Sequence, residues 1–116
     1  MQYMLLIYQD EKAWAAAREK IGTEVMPAYV AYTKALKESG VMVGGDRLSP
    51  SSSATTVRAA NGRNQVLNGP YAETKEQLGG YYIIDVPDLD AALSWASRCP
   101  GTQFGAVEVR PFFNMR

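Results

Sequence analysis

The stretch Asn68-Gly69-Pro70-Tyr71-Ala72-Glu73-Thr74-Lys75-Glu76-Gln77-Leu78-Gly79-Gly80 runs directly into Tyr81-Tyr82-Ile83-Ile84-Asp85-Val86, and the second part decides the fold. Residues 81–86 are rich in β-formers and apolar at both odd and even positions, so a strand here offers apolar side chains to both faces of its sheet. Residues 2–8 repeat the pattern, with Tyr3, Leu5 and Ile7 pointing one way and Met4, Leu6 and Tyr8 the other. Helices covering one face would leave the second face apolar and wet, and a patch of that size marks an interface. Two protomers packed sheet against sheet would cover it, so a homodimer is expected.

The first part of the stretch is the expected site. Gly69 and Pro70 are turn formers, and Pro70 biases Gly69 away from the right-handed helical region, so a strand ending near Leu67 leaves its ladder here. Gly79 and Gly80 are expected to close the excursion. A loop held at both ends can present Glu73, Lys75 and Glu76 accurately, with Tyr71 as a partly buried anchor and with Glu73 and Lys75 bordering a cleft shared with Asp46 or Arg58. The alternative is a solvated surface loop.

The remaining elements follow from caps and periodicity. Asp10 is placed to cap a short helix over residues 11–20, on which Trp14, Ala17 and Arg18 share a side. Thr23 precedes a second helical stretch with Pro27 near its start and a stripe Val25, Tyr29, Tyr32, Leu36, and Gly40 stops it. Residues 41–44 read as a strand, and the serine run after Pro50 as a loop. Asn61-Gly62 between two short β-like runs, 54–59 and 65–67, predicts a hairpin. Pro87 and Asp88 open a helix with a stripe Leu89, Ala92, Leu93, Ala96, Asp88 being its N-cap and Asp90 suiting its first turn. Pro100-Gly101 ends that helix, and residues 106–110 form a last strand. The order strand, helical region, strand, hairpin, strand, helix, strand predicts an α+β fold: a ferredoxin-like antiparallel sheet with helices on one face. One domain is expected over residues 1–116.

Composition narrows the chemistry. The 116 residues are 47% hydrophobic, with twelve basic and twelve acidic residues. Neither sign forms a long block, so no nucleic-acid or membrane partner is expected. Met1 leads directly into a short apolar strand without a basic leader, and the single cysteine, Cys99, cannot form an internal disulfide, so a cytoplasmic location is expected. The chain has no histidine. That excludes an imidazole base and, with one cysteine, ordinary zinc, haem or iron-sulfur ligation; no metal and no cofactor are expected.

Proton transfer would then fall to Asp46, Glu73, Lys75, Glu76, Tyr29 or Tyr71. Glu73 and Glu76 would share a side in a helical turn, where burial would raise the proton affinity of one of them. Arg58 and Arg110 fall inside predicted strands and could bind an anionic ligand, or pair with a neighbouring acid such as Glu108. Tyr29 and Tyr32 read first as core residues of the helix stripe. Cys99 lies near a helix C-terminus, the end that disfavours a thiolate, so it is not expected to be a nucleophile.

Three ordered blocks make the chain recognisable: Gly44-Gly45-Asp46-Arg47-Leu48-Ser49-Pro50, Asn68-Gly69-Pro70-Tyr71 with the Ala72-Glu73-Thr74-Lys75-Glu76 run, and Val107-Glu108-Val109-Arg110-Pro111. Together they resemble the YCII-related family in its DGPF-type branch, over nearly the whole length. The resemblance implies a dimeric α+β barrel, and members of this branch are often associated with alternative sigma factors. In the branch with a proposed His and Asp pair, the histidine falls where this chain has Tyr29, in Met26-Pro27-Ala28-Tyr29, and Asn68 stands where the signature has Asp. Both departures keep shape and remove proton chemistry. The reading is therefore a small-molecule-binding dimer, accessory or regulatory, with Tyr29, Arg58, Asn68, Tyr71, Lys75 and Arg110 as candidate ligand contacts. The alternatives are a lyase, isomerase or hydrolase using Glu73 or Asp46 as acid or base on a small polar or aromatic metabolite, and a structural interaction module.

Overall fold

The computed structural model describes residues 1–114. Its elements are β1 (Gln2–Gln9), α1 (Glu11–Ala16), α2 (Arg18–Lys20), α3 (Met26–Glu38), β2 (Met42–Arg47), β3 (Thr55–Ala60), β4 (Arg63–Asn68), β5 (Gln77–Asp85), α4 (Leu89–Arg98) and β6 (Gly105–Pro111). Four strands form one antiparallel sheet in the order β2-β5-β1-β6, and β3 and β4 form a separate hairpin. With that hairpin set aside, the sheet and its two long helices have the ferredoxin-like order.

The two-faced strands sit at the centre of the sheet. Tyr3, Leu5 and Ile7 of β1 and Tyr82 and Ile84 of β5 are buried with Tyr32 and Leu36 of α3 and Ala92 and Ala96 of α4. Met4, Leu6, Tyr8, Tyr81 and Ile83 form the opposite face and are only half-buried. Asp10 caps α1, its Oδ1 accepting from the Lys12 and Ala13 amides at 2.9 and 3.2 Å. Asp88 caps α4 by accepting from the Ala91 amide at 2.9 Å. Asn61 and Gly62 both have positive φ, 53° and 75°, as a two-residue hairpin turn between β3 and β4 requires.

Four local expectations need correction. Thr23 does not precede the helical stretch but lies inside it: residues Ile21–Val25 form a π-turn leading into α3, and the Thr23 hydroxyl donates to the Glu19 carbonyl. Proline lacks an amide and crowds the carbonyl four residues back, so the wider turn before Pro27 lets helix continue into it. On α4, Leu89 and Leu93 are exposed, because Ala92 and Ala96 allow close approach to the sheet and turn the leucines away from it. Gly79 and Gly80 do not close a loop but lie within β5, beside a bulge opposite Ile7 and Tyr8. Ser51 is part of a short 3-10 turn whose amide and hydroxyl both donate to the Glu11 carboxylate, at 2.7 and 2.9 Å, tying the segment after β2 to α1.

The β3–β4 hairpin projects from this body. The radius of gyration is 16.0 Å, against about 13 Å for a compact domain of this length. Val57 and Val66, paired across the hairpin, are both well exposed. Among the described residues no helix is long and apolar enough to cross a membrane.

Candidate functional site

Sheet pleat and helix placement create one large concavity. Residue pairs Met42 with Ile84, Gly45 with Tyr82 and Arg47 with Gly80 put Met42, Gly45 and Arg47 on the helix-facing side of β2. Glycine there is a requirement of space, since a Cβ on Gly45 would lie 2.8 Å from the Tyr82 ring. α4 packs towards β6, at the other side of the sheet. The glycines therefore leave an open region under α3, a cleft of about 650 Å³.

Its floor and inner wall are Ile7, Tyr29, Met42 and Tyr82. The Tyr82 and Thr33 hydroxyls are 2.7 Å apart, and both residues line the cleft. One hydrogen bond consumes one of the two hydroxyl protons, so the pair retains a donor for a ligand. Behind them Tyr32 packs edge-on to Tyr82 at 5.4 Å and donates to the Trp95 carbonyl at 2.7 Å. The Cys99 thiol contacts the Tyr29 hydroxyl at 3.9 Å.

Burial pushes the phenols of Tyr29, Tyr32 and Tyr82 and the thiol of Cys99 above their ordinary ranges. For Tyr29, the nearby Cys99 adds to the effect of burial; for Tyr82, the Thr33 hydrogen bond partly opposes it. A phenol held protonated is a hydrogen-bond donor and not a base. Tyr29, standing where the resembled branch has histidine, does not replace its basicity.

The rim carries the charge. Lys34 pairs with Glu38 at 3.8 Å along α3, and Lys37 is exposed. Arg47 places its guanidinium 5.9 Å from the Trp14 ring centroid and 3.7 Å from the Met26 sulfur. Asp46 is among the lining residues, but it pairs with Tyr81, so the pleat starts its side chain on the face turned away from the helices.

The candidates read from sequence separate into distinct places. Tyr29 and Asp46 meet the cleft. Arg58 and Asn68 lie on the projecting hairpin, and Tyr71 follows it with its ring 5.2 Å below the Arg58 guanidinium. Tyr71 is 74% exposed, so the expected partial burial is corrected: the chain turns at Gly69 beside the hairpin, not beneath the helices. Glu73 and Lys75 are exposed on the irregular segment between β4 and β5, outside the cleft lining. Arg110, on β6, donates to Glu108 on the same strand, at 2.8 Å through Nε.

Sequence reasoning missed Trp14, Thr33, Arg47 and Tyr82 as cleft residues. Arg47 carried a usable signal, since it lies two residues beyond Gly45 on the same strand face. A bulge between Met42 and Gly44 brings Gly45 and Arg47 onto the face of Met42, which a count of alternate residues from Met42 would not give.

Comparison with known proteins agrees with the fold. The family model for the YCII-related domain matches residues 1–116. An uncharacterised protein of Rhizobium meliloti strain 1021 is 39% identical over 115 residues, covering 96% of this chain and 91% of that protein. Among solved structures, 5-chloro-2-hydroxyhydroquinone dehydrochlorinase from Burkholderia phenoliruptrix AC1100, in complex with 2,5-dihydroxybenzoquinone, is similar. It matches with a TM-score of 0.56 and 17% identity, over 98% of this chain and 95% of that one.

Proposed function

The chain belongs to the YCII-related family, and on that premise we propose that it is a small-molecule-binding protein whose cleft beneath α3 takes a planar, ring-sized molecule. The observation that carries this reading is the cleft itself. Its volume of about 650 Å³ falls within the range of roughly 300 to 1,000 Å³ usual for ligand sites, and it combines apolar walls with a few convergent polar groups. Tyr29, Tyr82 and Ile7 supply the walls, and the Thr33–Tyr82 hydroxyl pair supplies the hydrogen bond.

Binding is favoured over carboxylate acid-base catalysis, because a lyase, isomerase or hydrolase of that kind needs a carboxylate aimed at the ligand. Glu73 is on an exposed segment and Asp46 starts on the far face of β2. The reading includes an accessory or regulatory role for that binding. A purely structural module would have no use for the cleft.

The fold neighbour's ligand makes 2,5-dihydroxybenzoquinone a fitting first probe. Titrating it while following tryptophan fluorescence should give saturable quenching that is smaller in Trp14→Phe, where Trp95 is the remaining indole. Quenching that rises linearly and equally in both proteins would count against the cleft.

The same reading includes a homodimer formed through the half-buried outer face of Met4, Leu6, Tyr8, Tyr81 and Ile83. Light scattering should return about 25 kDa, twice the 12.7 kDa of one chain, and Ile83→Arg should return one chain mass. A wild-type mass of one chain at micromolar concentration would remove the dimer. A cytoplasmic setting suits the free, buried thiol of Cys99.

A further inference from the structure

From the rim of the same cleft we infer that the ligand carries a planar oxyanion, a ring carboxylate or an ionised hydroxyquinone, and that Arg47 is the residue that selects it. This inference rests on the binding reading above and adds the charge of the ligand.

Arg47 ends β2 on the helix-facing side, where it borders the cleft. Among the described residues, no ion pair involves it; its contacts are the Trp14 ring at 5.9 Å and the Met26 sulfur at 3.7 Å. Neither contact neutralises a guanidinium. A thioether is a weak acceptor, and a ring face holds the cation while leaving most of its five N–H donors unused. The Trp14 ring and the Met26 sulfur hold the guanidinium near the cleft mouth, where its planar fork can meet a planar anion through two N–H donors.

The surrounding charge agrees. Of the other charged residues lining the cleft, Lys34 and Glu38 pair with each other, Lys37 is cationic, and Asp46 starts on the opposite sheet face. A ring seated against Tyr29 and Tyr82 would place an anionic substituent at the Arg47 end of the rim, beside Met26, while Lys37 lies eleven residues further along α3, about 16 Å away. Arg47 is exposed, so water solvates its guanidinium until an anionic ligand takes up its donors.

The test compares probes that differ in charge but little in shape: benzoate, benzamide and 2,5-dihydroxybenzoquinone, each titrated by NMR against wild type, Arg47→Gln, Arg47→Lys and the charge-matched surface control Arg63→Gln. Arg47→Gln should weaken benzoate or the quinone by about ten-fold to a hundred-fold, the range for a charged hydrogen bond. Benzamide should be unaffected, Arg47→Lys should recover only part of the loss, and Arg63→Gln should match wild type. The probe with the larger Arg47 dependence identifies the carboxylate or the hydroxyquinone as the preferred group. If all three bind in the cleft and Arg47→Gln weakens none, or weakens benzamide equally, the anion inference is overturned while the cleft reading stands. If none perturbs the cleft in wild type, both fall together.

Discussion

Replacing Gly101 by Ala tests the wall behind the cleft. Gly101 is buried, and a Cβ built there would lie 2.6 Å from the Tyr29 hydroxyl, 2.8 Å from Ile7 Cγ2 and 3.7 Å from Cys99 Sγ. Non-bonded heavy atoms prefer about 3.5 to 4.0 Å, so the first two contacts fall short by close to an ångström. Such overpacking costs about 1 to 3 kcal/mol. Alanine's smaller unfolded-state entropy returns roughly 0.4 to 1 kcal/mol, leaving a net loss of about 1.3 kcal/mol at the middle of both ranges and of at most about 2.6 kcal/mol. Urea unfolding should therefore show a lower midpoint with an unchanged slope. The double variant Tyr29→Phe/Gly101→Ala removes the closest contact, so its stability should exceed the sum of the single effects by about 0.5 to 1.5 kcal/mol. Tyr29 lines the cleft, so a shift of its ring away from the added Cβ should also alter ligand binding. A wild-type midpoint, or the same penalty in the Tyr29→Phe background, would refute this packing.

Three further outcomes are expected. Tyr71→Ala should cost less than about 1 kcal/mol, the worth of an exposed cation–π contact with Arg58, where a buried anchor would cost several; denaturant midpoints decide between them. Gly62→Val should destabilise the hairpin by about 1 kcal/mol or more, because φ there is +75°. The hairpin projects from the body, so the loss should be read in faster amide exchange of β3 and β4, and unchanged exchange would contradict it. Tyr29, Tyr32 and Tyr82 have raised proton affinities when folded, so their contribution to stability is intact below the ordinary tyrosine value near 10 and is lost as pH climbs above it and the unfolded chain ionises. Absorbance titration at 295 nm should show these three phenols ionising only with unfolding, and their reversible titration in the native state near 10 would argue against their burial.

The sheet was legible because its signals are local. Two-parity apolar runs at Tyr3–Tyr8 and Tyr81–Ile84 identified the central strands, Asn61-Gly62 identified the hairpin, and Asp10 and Asp88 identified two helix starts. What was hidden depends on distant packing. Gly79 and Gly80 look like loop residues until β2 and β1 are placed on either side of them. Leu89 and Leu93 suggested a buried stripe, but alanines on the adjacent face bring α4 closer to the sheet. The signature run from Asn68 drew attention to Glu73 and Lys75, whereas the cleft assembles from α1, α3 and the inner parity of β2 and β5, far apart in sequence. Of the site candidates picked out in the sequence, only Tyr29 and Asp46 line the cleft, and parity separates Asp46 from its interior.

Chemical-shift mapping with 2,5-dihydroxybenzoquinone tests the central claim most directly, because it distinguishes the cleft from the signature segment. Perturbations should concentrate on the Trp14 indole, Tyr29, Thr33, Arg47 and Tyr82, which share the cleft. Perturbations centred on Arg58, Tyr71, Glu73 and Lys75, with the cleft signals unmoved, would contradict the account.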